Sequence, residues 1–579
     1  MNKHVDPVIV EVIRNLLLSI ADETNTVIIK SAYSTNIKER RDNTVAIMDA
    51  KGDVVAQVEG SIPILLATSL FIAKRILAKY GEEGIHPGDM FILNDPYSGS
   101  GNHLPDITIC APVFAGEKLI AWVSNIAHHS DIGGSVPGSI VGNATSIFEE
   151  GIRIPIVHIC RDGKINDDVM DMLIGNTRTR EERLGDFTAQ ISANLIGIEK
   201  MQSAYQKYGD VLLDCMEEIQ NYAGRMMCST ISKIPDGVYS FEDYVDGCGD
   251  LVPHPINIRV KITVAGDQMT MDFTGTHAQV EAPINIPFPA LMSAILFSIK
   301  ALVGPGLPTN SGIFRPITVI APEGCLVNPV EPAPVCVLID AAQRIPDTIF
   351  GALAQAMPER ILASSNGACT TCMLFGRTQH SGGKYFICHE SIAGGSGASH
   401  FYDGLSGVQV YLTNTSNMPI EATEMEYPDI RLEQYFLRKD SGGAGKFRGG
   451  CGIQREYKIC SDGMAVNCLG DRQKFQPWGL DGGLPGAGGA FYLVDGVTGK
   501  KTKLSHKTSN LAVKKGDSIL VLTPGAGGVG DPKQRDPKQV LRDVQENLVS
   551  PEMAEKLYGV EVEMSQTGVY QLKEACSKE

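Results

Sequence analysis

The sequence predicts a multidomain α+β fold with mixed sheets, long helices and a Gly-rich β domain towards the C-terminus. Three observations carry that prediction. The chain has 579 residues, too many for one compact core. Segments with apolar residues at helical spacing alternate with short apolar runs that end in Gly, Pro, Asn or Ser. The 61 glycines and 31 prolines call for more turns than a helical bundle uses. Domain edges are expected near residues 235 and 430, giving an α/β domain over 1–235, a middle α+β domain over 236–430 and the Gly-rich β domain over 431–579.

Each element has a local cause. Asp6-Pro7 supplies a cap and a first helical position, and Ile9, Ile13, Leu16, Leu17, Ile20, Val27 and Ile28 continue one apolar face. Residues 44–56 read as a hairpin turning at Lys51-Gly52, and a helix over Ala67–Tyr80 should stop at Gly81. Between 90 and 160, the runs MFIL, DITICAPVF, KLIAWVSNI and RIPIVHI predict a sheet with long loops. Helices are expected over 167–208 and 210–232, divided by Gly209, and again over 289–302 and 346–357. A hairpin joins 256–264 to 269–273 around Gly266-Asp267. Short strands among glycines fill 430–530, and two helices opened by Asp536-Pro537 and Ser550-Pro551 close the chain.

Bulk properties exclude several roles. A net charge of −16 without a concentrated basic run repels phosphate backbones and speaks against nucleic-acid binding. The apolar N-terminal segment carries Asp6, Glu11, Arg14, Asp22 and Glu23, so it reads as an amphipathic helix, neither signal peptide nor membrane span. Fourteen thinly spread cysteines suit a cytoplasmic protein with free thiols. Cys369-Thr-Thr-Cys372 is a solitary CxxC, without the second pair that completes a tetrahedral zinc site.

The stretch Asn94-Asp-Pro-Tyr-Ser-Gly-Ser-Gly-Asn-His103-Leu-Pro-Asp106 carries the most chemistry. Pro105 rules out a helix interior, so His103 and Asp106 lie on a bend entering a strand. Imidazole nitrogen with carboxylate oxygen suits Zn²⁺, Mn²⁺ or Fe²⁺. A second strand ends in Ala127-His128-His129-Ser130-Asp131; if the strands are neighbours, His128 or His129 reaches the same point. Glu39-Arg40-Arg41-Asp42 offers a further carboxylate. By spacing alone the bland reading, structural or exposed histidines, is the commoner one.

These residues resemble the hydantoinase B / 5-oxoprolinase family, related to the acetone and acetophenone carboxylase large subunits. The resemblance runs through Asn36-Ile-Lys-Glu39-Arg-Arg-Asp42, the NDPYSGSGNHLPDIT block, Asn125-Ile-Ala-His128-His129-Ser-Asp131 and Glu150-Gly-Ile-Arg153. It continues through Asn176-Thr-Arg178, Asp272-Phe-Thr-Gly275, Arg438-Lys-Asp440 to Arg448 and Thr523-Pro-Gly-Ala-Gly-Gly-Val-Gly-Asp-Pro532, where Val529 stands in place of an expected aromatic. The resemblance implies one divalent ion, Zn or Mn, held by Asp42, His103, Asp106 and His128, with Glu39 the rival for the first position. It implies substrate-facing or catalytic roles for His129, Asp131 and Glu39. ATP would be used by a hydantoinase A-type partner with an actin-like ATPase fold, in a hetero-oligomer.

The chain's own glycine loops agree with that division. Gly443-Ala-Gly-Lys446 lacks the spaced first glycine and the Ser/Thr of a P-loop. Gly525-Ala-Gly527-Gly-Val-Gly530 matches GxGxxG but is followed by Asp531-Pro532, leaving no room for a βαβ unit. The resemblance implies, as the expected activity, ATP-dependent hydrolysis of a cyclic amide. The partner phosphorylates the amide oxygen, and the ion lowers the pKa of water that attacks the activated carbon. Ketone carboxylation and a non-catalytic scaffold with a structural metal are the alternatives.

Overall fold

The computed structural model describes residues 5–98, 101–304, 306–378 and 380–573. Gly99 and Ser100 of the histidine-bearing motif, and the first four residues, lie outside them. The fold is multidomain α+β, with several antiparallel and mixed sheets.

Local signals place most elements. Asp6 caps the helix Pro7–Ser31 by accepting the Val8 N–H at 2.9 Å, and the helix buries Ile13, Leu17, Ile20 and Ile28. The helix Ser69–Tyr80 ends at Gly81, whose φ of +66° suits a residue without Cβ. The stretch expected to be helical over 167–208 is interrupted, giving Asp167–Gly175 and Arg180–Tyr208. The reason is tertiary: Thr177 and the Arg178 backbone N–H both bind the carboxylate of Asp131, which pulls these residues out of the helix.

A seven-stranded antiparallel sheet organises the N-terminal region. Its strands are β1 (Asn43–Asp49), β2 (Val54–Gln57), β3 (Met90–Leu93), β4 (Asp106–Ala115), β5 (Lys118–His128), β6 (Val157–Arg161) and β7 (Lys164–Ile165). Their order is β2-β1-β5-β4-β3-β6-β7. One face is covered by the helices Pro7–Ser31, Arg180–Tyr208 and Asp210–Ile231, which bury Val45, Ile47, Val113 and Val123. Residues of opposite parity, including Ala46, Met48, Cys110, Trp122 and Ile126, enter a larger core on the other face.

A second sheet consists of β8 (Gly237–Val245), β9 (Ile256–Ala265), β10 (Gln268–Asp272) and β11 (Ile317–Ile320). The strands β12 (Thr370–Arg377), β13 (Tyr385–Ile392), β14 (Ile430–Leu437), β15 (Ile453–Ile459), β16 (Met464–Leu469), β17 (Ala490–Val494), β18 (Lys501–Lys503), β19 (Lys507–Val513) and β20 (Ser518–Leu522) form two further sheets. Their orders are β13-β12-β16-β19 and β14-β15-β20-β17-β18. The largest core cluster takes in residues from Ala46 to Leu469, so it crosses both expected domain edges.

The glycine loops pack as extended segments lying side by side. Gly443 donates its N–H to the Ala526 carbonyl, Lys446 to Gly530, Gly450 to Ser396 and Gly527 to Ser364. The two loops that look like nucleotide-binding motifs are thus hydrogen-bonded to each other. A Cβ at Gly397, Gly450 or Gly525 would overlap the carbonyls of Ala363, Leu405 or Ser441. Val529 is buried in this layer, bridged to Phe447 and Leu480.

Behind the cavity described below lies a buried ionic cluster. Arg344 pairs with Asp471 and Asp347, Arg472 with Asp243 and Asp347, and Lys507 with Asp340. Asp246 accepts the backbone N–H groups of Gln473, Lys474 and Phe475. Five buried aspartates thus face three buried cations, and burial together with repulsion from Asp246 raises Asp471 to about 8. A carboxyl raised in the folded state contributes stability below its ordinary pKa, and that contribution is lost as pH rises through the raised value. The thermal midpoint should therefore fall as pH rises from about 4, the ordinary aspartate value, to about 8, and Asp471→Asn should flatten that fall. Equal slopes for the two proteins in a pH series of melts would contradict this account.

Candidate metal centre

Three adjacent strand ends build the site. In the β4–β5 ladder Asp106 lies directly opposite His128, so their side chains emerge on the same face. On the other side of β5, β1 begins with Asn43 opposite Ala127, and the carbonyl of Asp42 accepts the His128 N–H at 3.0 Å. His103 comes from the bend before β4, where the Asp106 N–H closes on the His103 carbonyl at 3.0 Å.

These residues bring three donor atoms to one point. His103 Nε2 lies 3.1 Å from His128 Nδ1 and 3.2 Å from Asp106 Oδ1, and His128 Nδ1 lies 3.1 Å from that same oxygen. Three ligands at about 2.1 Å from a shared ion stand roughly 3.0 Å apart on an octahedral face and roughly 3.4 Å apart on a tetrahedral one. The triangle falls between those values. His103, Asp106 and His128 form the metal-capable cluster among the described residues, all buried or nearly so. Asp42 lines the same cavity but stands outside that cluster, its Oδ2 held 3.3 Å from Arg40 Nη2.

The three groups are also electrostatically linked. Burial alone would lower His103, but Asp106 outweighs it and raises the imidazole to about 9. Burial would raise Asp106, yet the two imidazoles hold it well below the usual carboxylate range. A divalent ion would take the place of the proton that this cluster otherwise retains. His103 Nδ1 lies 2.9 Å from the Cys336 carbonyl, an arrangement that fixes the N–H there and presents Nε2 to the centre. The Cys336 segment is itself held by Glu150 Oε1, which accepts the N–H groups of Val335 at 2.6 Å and Cys336 at 2.9 Å. Burial pushes the Cys369 thiol up to about 11 and Cys336 well above its ordinary value, and neither sulfur belongs to the donor cluster.

The cavity in front of these donors has a volume of about 70 Å³. Its apolar wall includes Ile62, Ile64, Ile140, Leu338 and Leu469. The opposite, polar wall comes from Arg40, the edge of β12–β13 (Cys369, Thr371, His389, Ser391) and Thr413 and Thr415. Alternation along β13 turns His389 and Ser391 to the cavity while Cys388 and Ile392 enter a separate core cluster. The His389 ring meets His128 edge-on, with centroids 5.5 Å apart, and burial together with Arg40 holds it neutral. Sequence reading gave no role to Arg40 or His389; Arg40 stands inside a motif already singled out, whereas His389 sits on an ordinary apolar strand and gave no signal.

The structure places the other three expected residues away from the cavity. His129 follows His128 and so turns to the helical face, where Nε2 lies 2.9 Å from Gln190 Oε1 and the ring stacks on Phe187 at 4.5 Å. Asp131 is fully buried and saturated by the N–H groups of Gly133, Gly138 and Arg178 and by the Arg178 guanidinium, so it fastens a glycine loop. Glu39 ends the short helix Thr35–Lys38 and does not line the cavity.

Two histidines and a carboxylate at strand ends, faced by the edge of β12–β13, form a cluster that could hold a metal ion beside a small enclosed cavity. The chain belongs to the Hydantoinase B/oxoprolinase family, whose model matches residues 6–532. It is 39% identical over 561 residues to an uncharacterized protein of Methanocaldococcus jannaschii, covering 96% of both chains. To a putative D-/L-hydantoinase component of a Pseudomonas strain it is 32% identical, covering 97% of this chain and 96% of that one. The 5-oxoprolinase of Dictyostelium discoideum is 32% identical over 91% of this chain, which spans 40% of that longer protein. Among solved structures, the ATP-dependent caprolactamase of Pseudomonas jessenii superposes with a TM-score of 0.90 at 28% identity, over 99% of both chains. An acetone carboxylase shares the fold with a TM-score of 0.90 at 20% identity, over 98% of this chain and 81% of that one. No helix among the described residues is long and apolar enough to cross a membrane.

Proposed function

We propose that this chain is the metal-holding catalytic subunit of a two-component, ATP-dependent enzyme that opens cyclic amides. The observation that carries the reading is the convergence of His103, Asp106 and His128 on one point beside an enclosed cavity. The likeness to a caprolactamase along the whole chain supports the cyclic-amide class. The Pseudomonas relative is named as one of the subunits of a hydantoinase, which supports a partner, as does the match to 40% of a longer oxoprolinase. That partner is an ATPase of the hydantoinase A type, working in a cytoplasmic hetero-oligomer.

The division of labour follows from amide chemistry. An unstrained ring amide resists attack because resonance stabilises its carbonyl; phosphorylation of the amide oxygen by the partner makes the ring carbon electrophilic. His103, Asp106 and His128 would hold a Zn²⁺ or Mn²⁺ ion, with Asp42, now 3.3 Å from Arg40, the nearby candidate for a fourth ligand. The bound ion supplies Lewis acidity and a lowered pKa for water at the reacting carbon. Glu150 and the Cys336 carbonyl keep His103 in the tautomer the centre needs. Ile62, Ile64, Ile140 and Leu469 surround the hydrocarbon part of the ring and exclude bulk water. No proton transfer is assigned to His129, Asp131 or Glu39, whose positions put them out of reach.

The test is reconstitution with a hydantoinase A-type ATPase, Mn²⁺ or Zn²⁺, ATP and a panel of lactams, hydantoins and oxoprolines. Ring-opened product formed equally with and without bicarbonate is the expected result. Product that requires bicarbonate and carries its carbon would replace this reading with ketone carboxylation, and turnover unaffected by chelation would return the metal to a structural role.

A further inference from the structure

Four buried polar atoms around the cavity have no partner: Arg40 Nε, His128 Nε2, His389 Nδ1 and Thr415 Oγ1. A buried group left without a hydrogen bond costs free energy, so four sharing one small cavity point to a missing polar occupant. The rest of Arg40 is committed. Its Nη1 donates to Asn36 Oδ1, and Nη2 donates to Ser391 Oγ at 2.9 Å and to Asp42 Oδ2 at 3.3 Å. A guanidinium only 3% exposed and gripped on one edge leaves its Nε–H as a fixed donor.

The acceptors of the cavity are already engaged. Both oxygens of Asp340 are taken, one by the Cys369 N–H at 3.1 Å and the other by the Lys507 ammonium. The Cys336 carbonyl faces His103, and Asp42 is drawn to Arg40. The open valences are therefore mostly donors, beside a positive charge and next to the metal-capable cluster.

We propose that Arg40 Nε, the Thr415 hydroxyl and the His389 ring form an anion subsite that receives an anionic oxygen group of the substrate, phosphoryl or carboxylate. The proposal rests on the cyclic-amide reading for its setting and gives that reading a substrate class. The molecule reaching this cavity carries its negative charge beside the metal ligands, where His389 meets the His128 ring at 5.5 Å and Arg40 reaches Asp42 at 3.3 Å.

Calorimetric titration of the metal-free full chain with inorganic phosphate, methylphosphonate and acetate tests it without any turnover. Saturable phosphate binding is expected, weakened about 10- to 100-fold by Arg40→Met, the usual consequence of losing a charge-assisted hydrogen bond. Thr415→Val, nearly isosteric and outside the ion pairs, should weaken it about threefold with an unchanged melting temperature. Preference for phosphate and methylphosphonate assigns the subsite to a phosphoryl group, and preference for acetate assigns it to a carboxylate. No saturable binding of any of the three, or equal binding by wild type and Thr415→Val with Arg40→Met folded, overturns the proposal. Anion binding without ring opening in the reconstituted system would leave the subsite standing and remove the cyclic-amide reading.

Discussion

Replacing His103 by alanine should leave a folded chain that no longer retains a divalent ion and has lost on the order of a thousandfold or more of its turnover. A bound ion contributes several kcal/mol of transition-state charge stabilisation, and about 4 kcal/mol corresponds to roughly three orders of magnitude in rate. The fold should survive, because His103 lies on a bend and its hydrogen bond to a protein group outside the donor cluster is to the Cys336 carbonyl. Losing one such bond costs only about 1 kcal/mol. Metal content by mass spectrometry, the melting curve and product formation with the ATPase partner together decide the matter. His129→Ala is the informative contrast. That ring packs on Phe187 and Gln190 behind the sheet, so its removal should lower stability while the ion stays bound. Identical metal loss in both variants would mean that strand alternation does not govern the site.

The second large effect is structural. Gly397→Ala should abolish soluble protein, since a Cβ there meets the Ala363 carbonyl at a distance no side-chain rotation relieves. The clash is backbone against backbone inside a layer held by the Ala363 N–H on Ala398 and the Ala398 N–H on Gly527. Relief would require breaking that ladder, leaving buried polar groups at about 1–3 kcal/mol each. Gly499→Ala is the matched comparison. Its φ of +68° disfavours a side chain, but nothing lies within 4 Å of the added Cβ, so a loss of about 1–2 kcal/mol is expected. Expression yield and urea midpoints separate the two, and a soluble Gly397→Ala protein with a wild-type midpoint would refute the close approach.

Local elements were largely legible because their causes are local. Asp6-Pro7, Gly81, Gly209 and Asp536-Pro537 act through caps and φ preferences that depend on neighbours in sequence. The break at residues 176–179 was not legible, since it answers to Asp131 more than forty positions earlier. His103 and Asp106 could be gathered with His128 or His129 because two strands joined by a short turn were expected to pair, and the resemblance selected His128. His129 and Asp131 stood equally close in sequence, and only the pleat and the loop path separated them from the cavity.

The sequence by itself determined the class of fold and the ends of the long helices, because periodicity and capping are properties of short segments, while the histidine–carboxylate set came from the family resemblance. Tertiary structure alone decided which face of β5 meets the cavity. It also brought Arg40 and His389, some 350 residues apart in sequence, to the same polar wall of one space, and it turned two nucleotide-like loops into a glycine layer. Those outcomes depend on which sheets stack and in what register, and long-range burial settles that only when the whole chain is folded.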